Sequence, residues 1–184
     1  MKKKYREFVF TVMCMLFVLA IKLTAIPTVE GNFRISADAI HSRVIERVAI
    51  ERVLKRYNSP LIPYTGAFIN SCRRYNLDCY LLPAITGVES GFGHALIQNA
   101  KNPFGWGGGS IYFSSWENGI DTVAKGLHEN YMLKGLDNPY RIAPVYAPPS
   151  TTWGTNVSMY MKTFEQEEAL IAQQFSLLKK AGIM

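Results

Sequence analysis

The stretch Leu81-Leu82-Pro83-Ala84-Ile85-Thr86-Gly87-Val88-Glu89-Ser90-Gly91-Phe92-Gly93 carries one ionisable residue, Glu89, in an otherwise apolar run, and places it where a helix must stop. Such a run predicts a half-buried helix, and a carboxyl on its last turn is pushed toward the protonated form by desolvation, as a general acid working near neutral pH requires. Gly91 and Gly93 let the chain turn away and leave the carboxyl facing a cleft. A solvated glutamate is the plainer alternative. The last turn of a helix disfavours an anion, however, so something must compensate for a carboxylate placed there.

With 184 residues, 48% of them hydrophobic and 12% aromatic, the chain is long enough to bury one core, and a single globular domain with appendages is expected. The net charge of +6 comes mostly from the first 26 residues, where Lys2, Lys3, Lys4, Arg6 and Lys22 face only Glu7. Between Pro60 and Thr163 cations and anions nearly balance and no basic stripe forms, which excludes a nucleic-acid footprint. Met1-Lys2-Lys3-Lys4-Tyr5-Arg6, followed by a nearly unbroken apolar run from Phe8 to Ile21, reads as an export signal. Leu23-Thr24-Ala25 is a poor cleavage site, so residues 1–26 are expected to act as a signal peptide or as an N-terminal membrane anchor with the remainder outside. The protein is therefore expected outside the cytoplasm, tethered or secreted.

Cys14 falls in that apolar run, which leaves Cys72 and Cys79 in the exported part. An oxidising compartment favours a disulfide between them, with two unpaired thiols as the alternative. No metal is implied, because neither cysteine has a partner pair and His41, His94 and His128 are scattered. Glycines 107 to 109 lack the Lys and Ser/Thr of a phosphate-binding loop, and no cofactor is expected.

Residues 27–58 read as a polar linker and a spacer or packing helix, capped by Ser36 and running from about Ala37 to Arg56 with Ile40, Val44, Ile45, Val48, Val53 and Leu54 on its apolar side. A helix of about Tyr64 to Tyr75 leads through Asn76-Leu77-Asp78 into the one that ends at Glu89. From Gly91 to Ser115 glycine and aromatics dominate, which predicts a loop with a small hairpin. Ser115 should cap a helix from Trp116 to about Tyr131 that buries Ile120, Val123, Ala124 and Leu127. The proline-rich segment Asp137 to Ser150 reads as a rigid loop beside the cleft. A helix of about Thr155 to Phe164 and a separate amphipathic helix of about Glu165 to Ala181 complete the chain. The expected domains are thus residues 59–164 and a C-terminal helix at 165–184.

A helix ending in Glu89-Ser90-Gly91-Phe92-Gly93, preceded by the helix-turn Phe68 to Asp78, resembles the catalytic core of the lysozyme-like superfamily. The nearer likeness is to bacterial glucosaminidase domains that cleave peptidoglycan, of the mannosyl-glycoprotein endo-β-N-acetylglucosaminidase-like kind. Three further elements follow in the same order: Asn102-Pro103-Phe104-Gly105-Trp106, then Phe113-Ser114-Ser115-Trp116, then Tyr146-Ala147-Pro148-Pro149 with Trp153. The resemblance covers about Ser59 to Phe164. It implies a mainly α, lysozyme-like fold with a small β-hairpin, and Glu89 as proton donor to the leaving glycosidic oxygen. It also implies Trp106, Tyr112, Trp116 and Tyr146 as walls of a sugar groove, with Phe104 and Trp153 in the matching segments joining the candidate substrate-binding set.

Sugar chemistry independently asks for an acid on the leaving oxygen, stabilisation of charge at the anomeric carbon, aromatic faces, and polar side chains such as Ser90, Gln98, Asn102 and Ser115. The second catalytic group is open. Glu117, Asp121 and Glu129 are the candidate carboxylates, Glu117 the first among them although it also suits the first turn of a helix. Related cores use a tyrosine or the substrate's acetamido group instead, which makes Tyr146 or Tyr112 the preferred helper.

The expected activity is hydrolysis of β-1,4 bonds in the GlcNAc-MurNAc glycan by a monomeric enzyme whose partners are peptidoglycan strands and, through the N-terminal segment, the membrane. The alternatives are a lytic transglycosylase, in which Glu89 serves as acid and then base, and a non-catalytic glycan-binding wall protein.

Overall fold

The computed structural model describes residues 37–182, with side chains from residue 41 onward. The expected signal or anchor of residues 1–26, Cys14 within it, the following linker and the Ser36 cap lie outside the described residues. No described helix is long and apolar enough to cross a membrane.

The described residues belong to one compact, mainly helical unit. Its helices are α1 (Ala37–Arg56), α2 (Thr65–Arg74), α3 (Leu81–Ser90), α4 (Trp116–Asn130), α5 (Pro139–Tyr146) and α6 (Trp153–Lys180), with short 3-10 turns at Ile62–Tyr64 and Met132–Lys134. The long α6 packs against α1, α3 and α5, while α2 packs against α1 and α4.

Local chemistry explains most of these boundaries. In α1 the buried stripe is Ile45, Ala49, Ile50, Val53 and Leu54, a helical spacing of one face. Val44, expected on that face, is exposed, and the stripe turns instead through Ala49 and Ile50. Of the two readings, spacer or packing helix, its burial fits the second, and it is part of the core. The turn between α2 and α3 is closed by Asp78, whose Oδ1 accepts from the Tyr80 amide at 2.8 Å. A disulfide joins Cys72 of α2 to Cys79 with Cα atoms 5.0 Å apart, so the two short helices are tied where the chain reverses. Leu82, Ala84 and Ile85 of α3 are fully enclosed.

Two expectations about the second half are corrected. The proline-rich segment forms α5, because Asn138 caps it by accepting from the Tyr140 and Arg141 amides, both at 3.1 Å, and Pro139 occupies the first turn, where a missing N–H costs nothing. The two terminal helices are one, α6, since neither glycine nor proline interrupts the chain near Phe164 and Glu165. Glu167 is buried in the middle of α6 and accepts from Arg52 at 3.2 Å and from Arg56, which clamps α6 to α1. Residues 165–182 are thus continuous with the domain.

The hairpin expected between Gly91 and Ser115 is also corrected: no strand occurs among the described residues. Gly105, Gly107, Gly108 and Gly109 all take positive φ, a run of left-handed conformations that no strand accommodates. Several of the backbone groups a ladder would satisfy go to a side chain instead. Asn102 donates from Nδ2 to Trp106 O at 2.9 Å and Ile111 O at 3.1 Å, and its Oδ1 accepts from Trp106 N at 3.1 Å.

Candidate active site

Three helix ends meet at Glu89. The carboxyl projects half-buried from the last turn of α3, Tyr146 closes α5, and Trp153 opens α6. The compensation that a helix-end anion requires comes from the Trp153 indole, whose Nε1–H donates to Glu89 Oε1 at 2.6 Å. Burial pushes the Glu89 carboxyl above the usual carboxylate range, and the Trp153 bond opposes part of that rise by favouring the charged form. The other oxygen, Oε2, lies only 2.6 Å from where a Cβ on Gly105 would stand. Residue 105 therefore has to be glycine for both its positive φ and this close approach.

Gly105 borders a cavity of about 280 Å³ lined also by Trp106, Gly107, Gly108, Tyr131 and Tyr146. Its aromatic wall is continuous. Trp106 stands 5.7 Å from Tyr146 and 6.4 Å from Tyr131, ring centre to ring centre, and Tyr146 stacks on Trp153 at 4.8 Å. Gly126 of α4 makes room for the Trp106 ring, since a Cβ there would come within 2.5 Å of its Cζ2. Tyr146 donates its hydroxyl hydrogen to Phe104 O at 2.7 Å. Burial first, then the charges of Glu89 and Tyr131, push its phenol well above the ordinary range, so it stays neutral at any physiological pH.

The structure brings Glu89, Trp106, Tyr146 and Trp153 together and separates them from other expected site residues. Trp153 is 3% exposed and contacts the carboxyl rather than open solvent. Tyr146 sits beside Glu89 and donates its hydrogen to the loop, which makes it a brace and a wall of the cavity. Ser90 is buried, donates to Pro103 O at 2.8 Å and accepts from Gly93 N at 2.9 Å, so it ties the helix end to the loop and is enclosed away from any ligand. Asn102 and Phe104 are likewise enclosed and shape the loop from beneath. Ser115 accepts from Asn118 N at 3.1 Å as the α4 cap. Trp116 pairs with Tyr64 at 5.9 Å, apart from the cavity's aromatic cluster. Tyr112 is 61% exposed on the loop surface and is free to meet a ligand.

No second carboxylate joins Glu89 among the described residues. Glu117 is exposed in the first turn of α4 and makes no hydrogen bond or ion pair there. Asp121 is occupied by Ser71, Arg74 and Tyr75 of the α2 end, and Glu129 pairs with Lys125. The shift at Glu89 has burial and Trp153 as its causes, with no carboxylate contributing. Among the described residues no group of three or more His, Cys, Asp or Glu side chains is placed to hold a metal ion.

Tyr131 is the lining residue that sequence reasoning missed. It ends the α4 pattern and reads there only as a helix terminus; its hydroxyl is pushed upward by burial beside the cavity. No protein-family model and no curated protein matches this chain.

Proposed function

We propose that the protein is an exported glycosidase that cleaves β-1,4 bonds of the peptidoglycan glycan, with Glu89 as general acid. One observation carries this reading: a half-buried carboxyl with raised proton affinity, held by Trp153, lies against Gly105, which lines an aromatic-walled cavity of about 280 Å³. Aromatic faces suit the apolar faces of pyranose rings, and a carboxyl whose proton affinity is raised by burial suits a poor alkoxide leaving group. Protonation of the glycosidic oxygen by Glu89 breaks the bond as positive charge grows at the anomeric carbon. With Tyr146 committed to Phe104 and no carboxylate beside Glu89, the acetamido group of the substrate itself is the internal group that captures that charge. Water then completes hydrolysis, with the Glu89 carboxylate taking its proton.

The same isolation of Glu89 favours one second reading, a lytic transglycosylase. There the carboxylate left after the first step withdraws a proton from a substrate hydroxyl, which closes an anhydro ring, so a single acid-base residue suffices. Purified cell walls separate the possibilities. Glu89→Gln should leave the fold intact and abolish release of reducing ends, and mass spectrometry of wild-type products reports hydrolysis, or an anhydro sugar one water lighter. A wild-type protein that binds chitooligosaccharide without yielding products, and binds it equally well as Glu89→Gln, would make this a glycan-binding protein and end the enzymatic reading.

A further inference from the structure

We propose that the two oxygens of Glu89 have fixed and different duties: Trp153 is a positioning residue that reserves Oε1, so that the transferable proton rides on Oε2 and is delivered past Gly105. The inference rests on the glycosidase reading for the word transferable and on geometry for the rest. An indole N–H is a donor and never an acceptor. At 2.6 Å it occupies Oε1 with a bond of charge-assisted length, and an oxygen that accepts this bond cannot also carry a proton pointing the same way. In the acid form the carbonyl oxygen is the better acceptor for this bond, which assigns the carbonyl to Oε1 and the hydroxyl to Oε2. That oxygen faces Gly105, the residue that lines the cavity, and only the missing side chain there leaves it a path.

The donor is itself rigid. Trp153 is enclosed, begins α6, and stacks on Tyr146 at 4.8 Å with planes 28° apart. Tyr146 is fixed in turn through its hydroxyl to Phe104 O, next to Gly105. The sequence 146–153 thus forms a strap that sets the carboxyl plane and the opening beside it together. A donor on Oε1 also favours the carboxylate, which limits how far burial raises its proton affinity and hence the pH at which the acid is lost.

The test uses the full chain with Trp153 replaced by β-(3-benzothienyl)alanine, which keeps the bicyclic shape and exchanges the N–H for sulfur, alongside Trp153→Phe. Glu89 is titrated by carbon-13 NMR of its carboxyl, assigned against Glu89→Gln. The expected result is a midpoint at higher pH in both variants, with the basic limb of the activity profile moving by the same amount. On cell walls kcat should fall roughly tenfold or more with little change in KM, because orientation is lost and binding is not. A packing role alone would leave the isosteric variant's midpoint where it was, and that result would overturn the proposal. A midpoint that moves in a protein inactive on cell walls would sink the glycosidase reading and leave the hydrogen-bond assignment standing. Blocking the path is the second arm: Gly105→Ala should cost roughly a hundredfold in activity, whereas Gly135→Ala, at a similarly positive φ with open space around it, should cost little. Equal losses in the two would refute delivery past Gly105.

Discussion

Replacing Asn102 by alanine removes three hydrogen bonds at once from a residue only 5% exposed: two donated to the carbonyls of Trp106 and Ile111 and one accepted from the Trp106 amide. Each is worth about 1 kcal/mol net, so Asn102→Ala should cost about 3 kcal/mol. For a domain of this size that lowers Tm by roughly 6–12 °C. Asn102→Asp is the sharper perturbation, because it keeps the acceptor for Trp106 N and replaces both donors with an anion facing two carbonyl oxygens. At pH 7 it should therefore be less stable than the alanine variant, and it should recover below the ordinary carboxylate pKa of about 4, where the acid can again donate. Thermal unfolding by near-UV circular dichroism at pH 7 and pH 3.5 measures both effects. Chitooligosaccharide titration followed by tryptophan fluorescence should show weaker binding, since the same bonds set the Trp106 ring. An aspartate variant as stable as wild type at pH 7 would refute the claim that these bonds hold the loop.

Four other outcomes follow from the geometry. Burial holds the Glu89 proton more tightly in the folded than in the unfolded chain, so the stability from this group is full below about pH 4.3 and is lost as pH rises through the raised value. Glu89→Gln should accordingly melt above wild type at pH 8, with the gap closing below about pH 4; equal melting at pH 8 would contradict the burial argument. Opening the short Cys72–Cys79 loop by Cys72→Ala/Cys79→Ala should cost about 2.5 kcal/mol in denaturant titration, and a change under 0.5 kcal/mol would show that the link does not constrain the unfolded chain. Gly126→Ala gains up to about 1 kcal/mol of helix propensity, yet displaces Trp106, so saccharide affinity should fall while Tm holds; unchanged affinity would place Trp106 outside the binding surface. Arg52→Ala/Arg56→Ala strands the buried Glu167 and should cost about 3 kcal/mol or more, whereas Glu167→Gln leaves two half-exposed guanidiniums in water and should cost about 1 kcal/mol; the reverse order would refute the clamp.

How much of this was readable from the chain alone depended on whether a signal was local. The helix at Ala37–Arg56 and the Ser115 cap with Asn118 were legible because propensity, spacing and capping all act within a few residues. The α5 helix was not, since prolines at 139, 144, 148 and 149 outweighed the one informative pair, Asn138-Pro139. Polar residues in the glycine-rich segment read as ligands for sugar hydroxyls. Ser90 and Asn102 instead satisfy backbone groups that lack a ladder, a competition no spacing rule resolves. Glu89 stood out because a charge in an apolar run is anomalous, while Trp153 read as a substrate-binding residue, not as a partner of the carboxyl, and Tyr131 as a helix terminus. Their partners lie 64 residues away for the Trp153–Glu89 bond and in the glycine-rich loop and on α5 for Tyr131, and only the fold joins them.

The placement of Glu89 is a cost that the rest of the domain offsets. A carboxyl drawn into an apolar setting destabilises the fold whenever it ionises, and the bond from Trp153 returns part of that loss. The return depends on register. Trp153 begins a 28-residue helix, and sliding that helix by one residue moves the indole about 1.5 Å and turns it by about 100°, which no 2.6 Å hydrogen bond survives. Glu167 lies fourteen residues further along, about 21 Å away, where Arg52 and Arg56 grip it from α1. Phe164 and Ile171 pack on either side of it in the core. The polar clamp admits one register where an all-apolar contact would tolerate neighbouring ones. An ion pair around a buried carboxylate, adding little stability by itself, can therefore fix from the far side of the domain where the Trp153 indole meets Glu89.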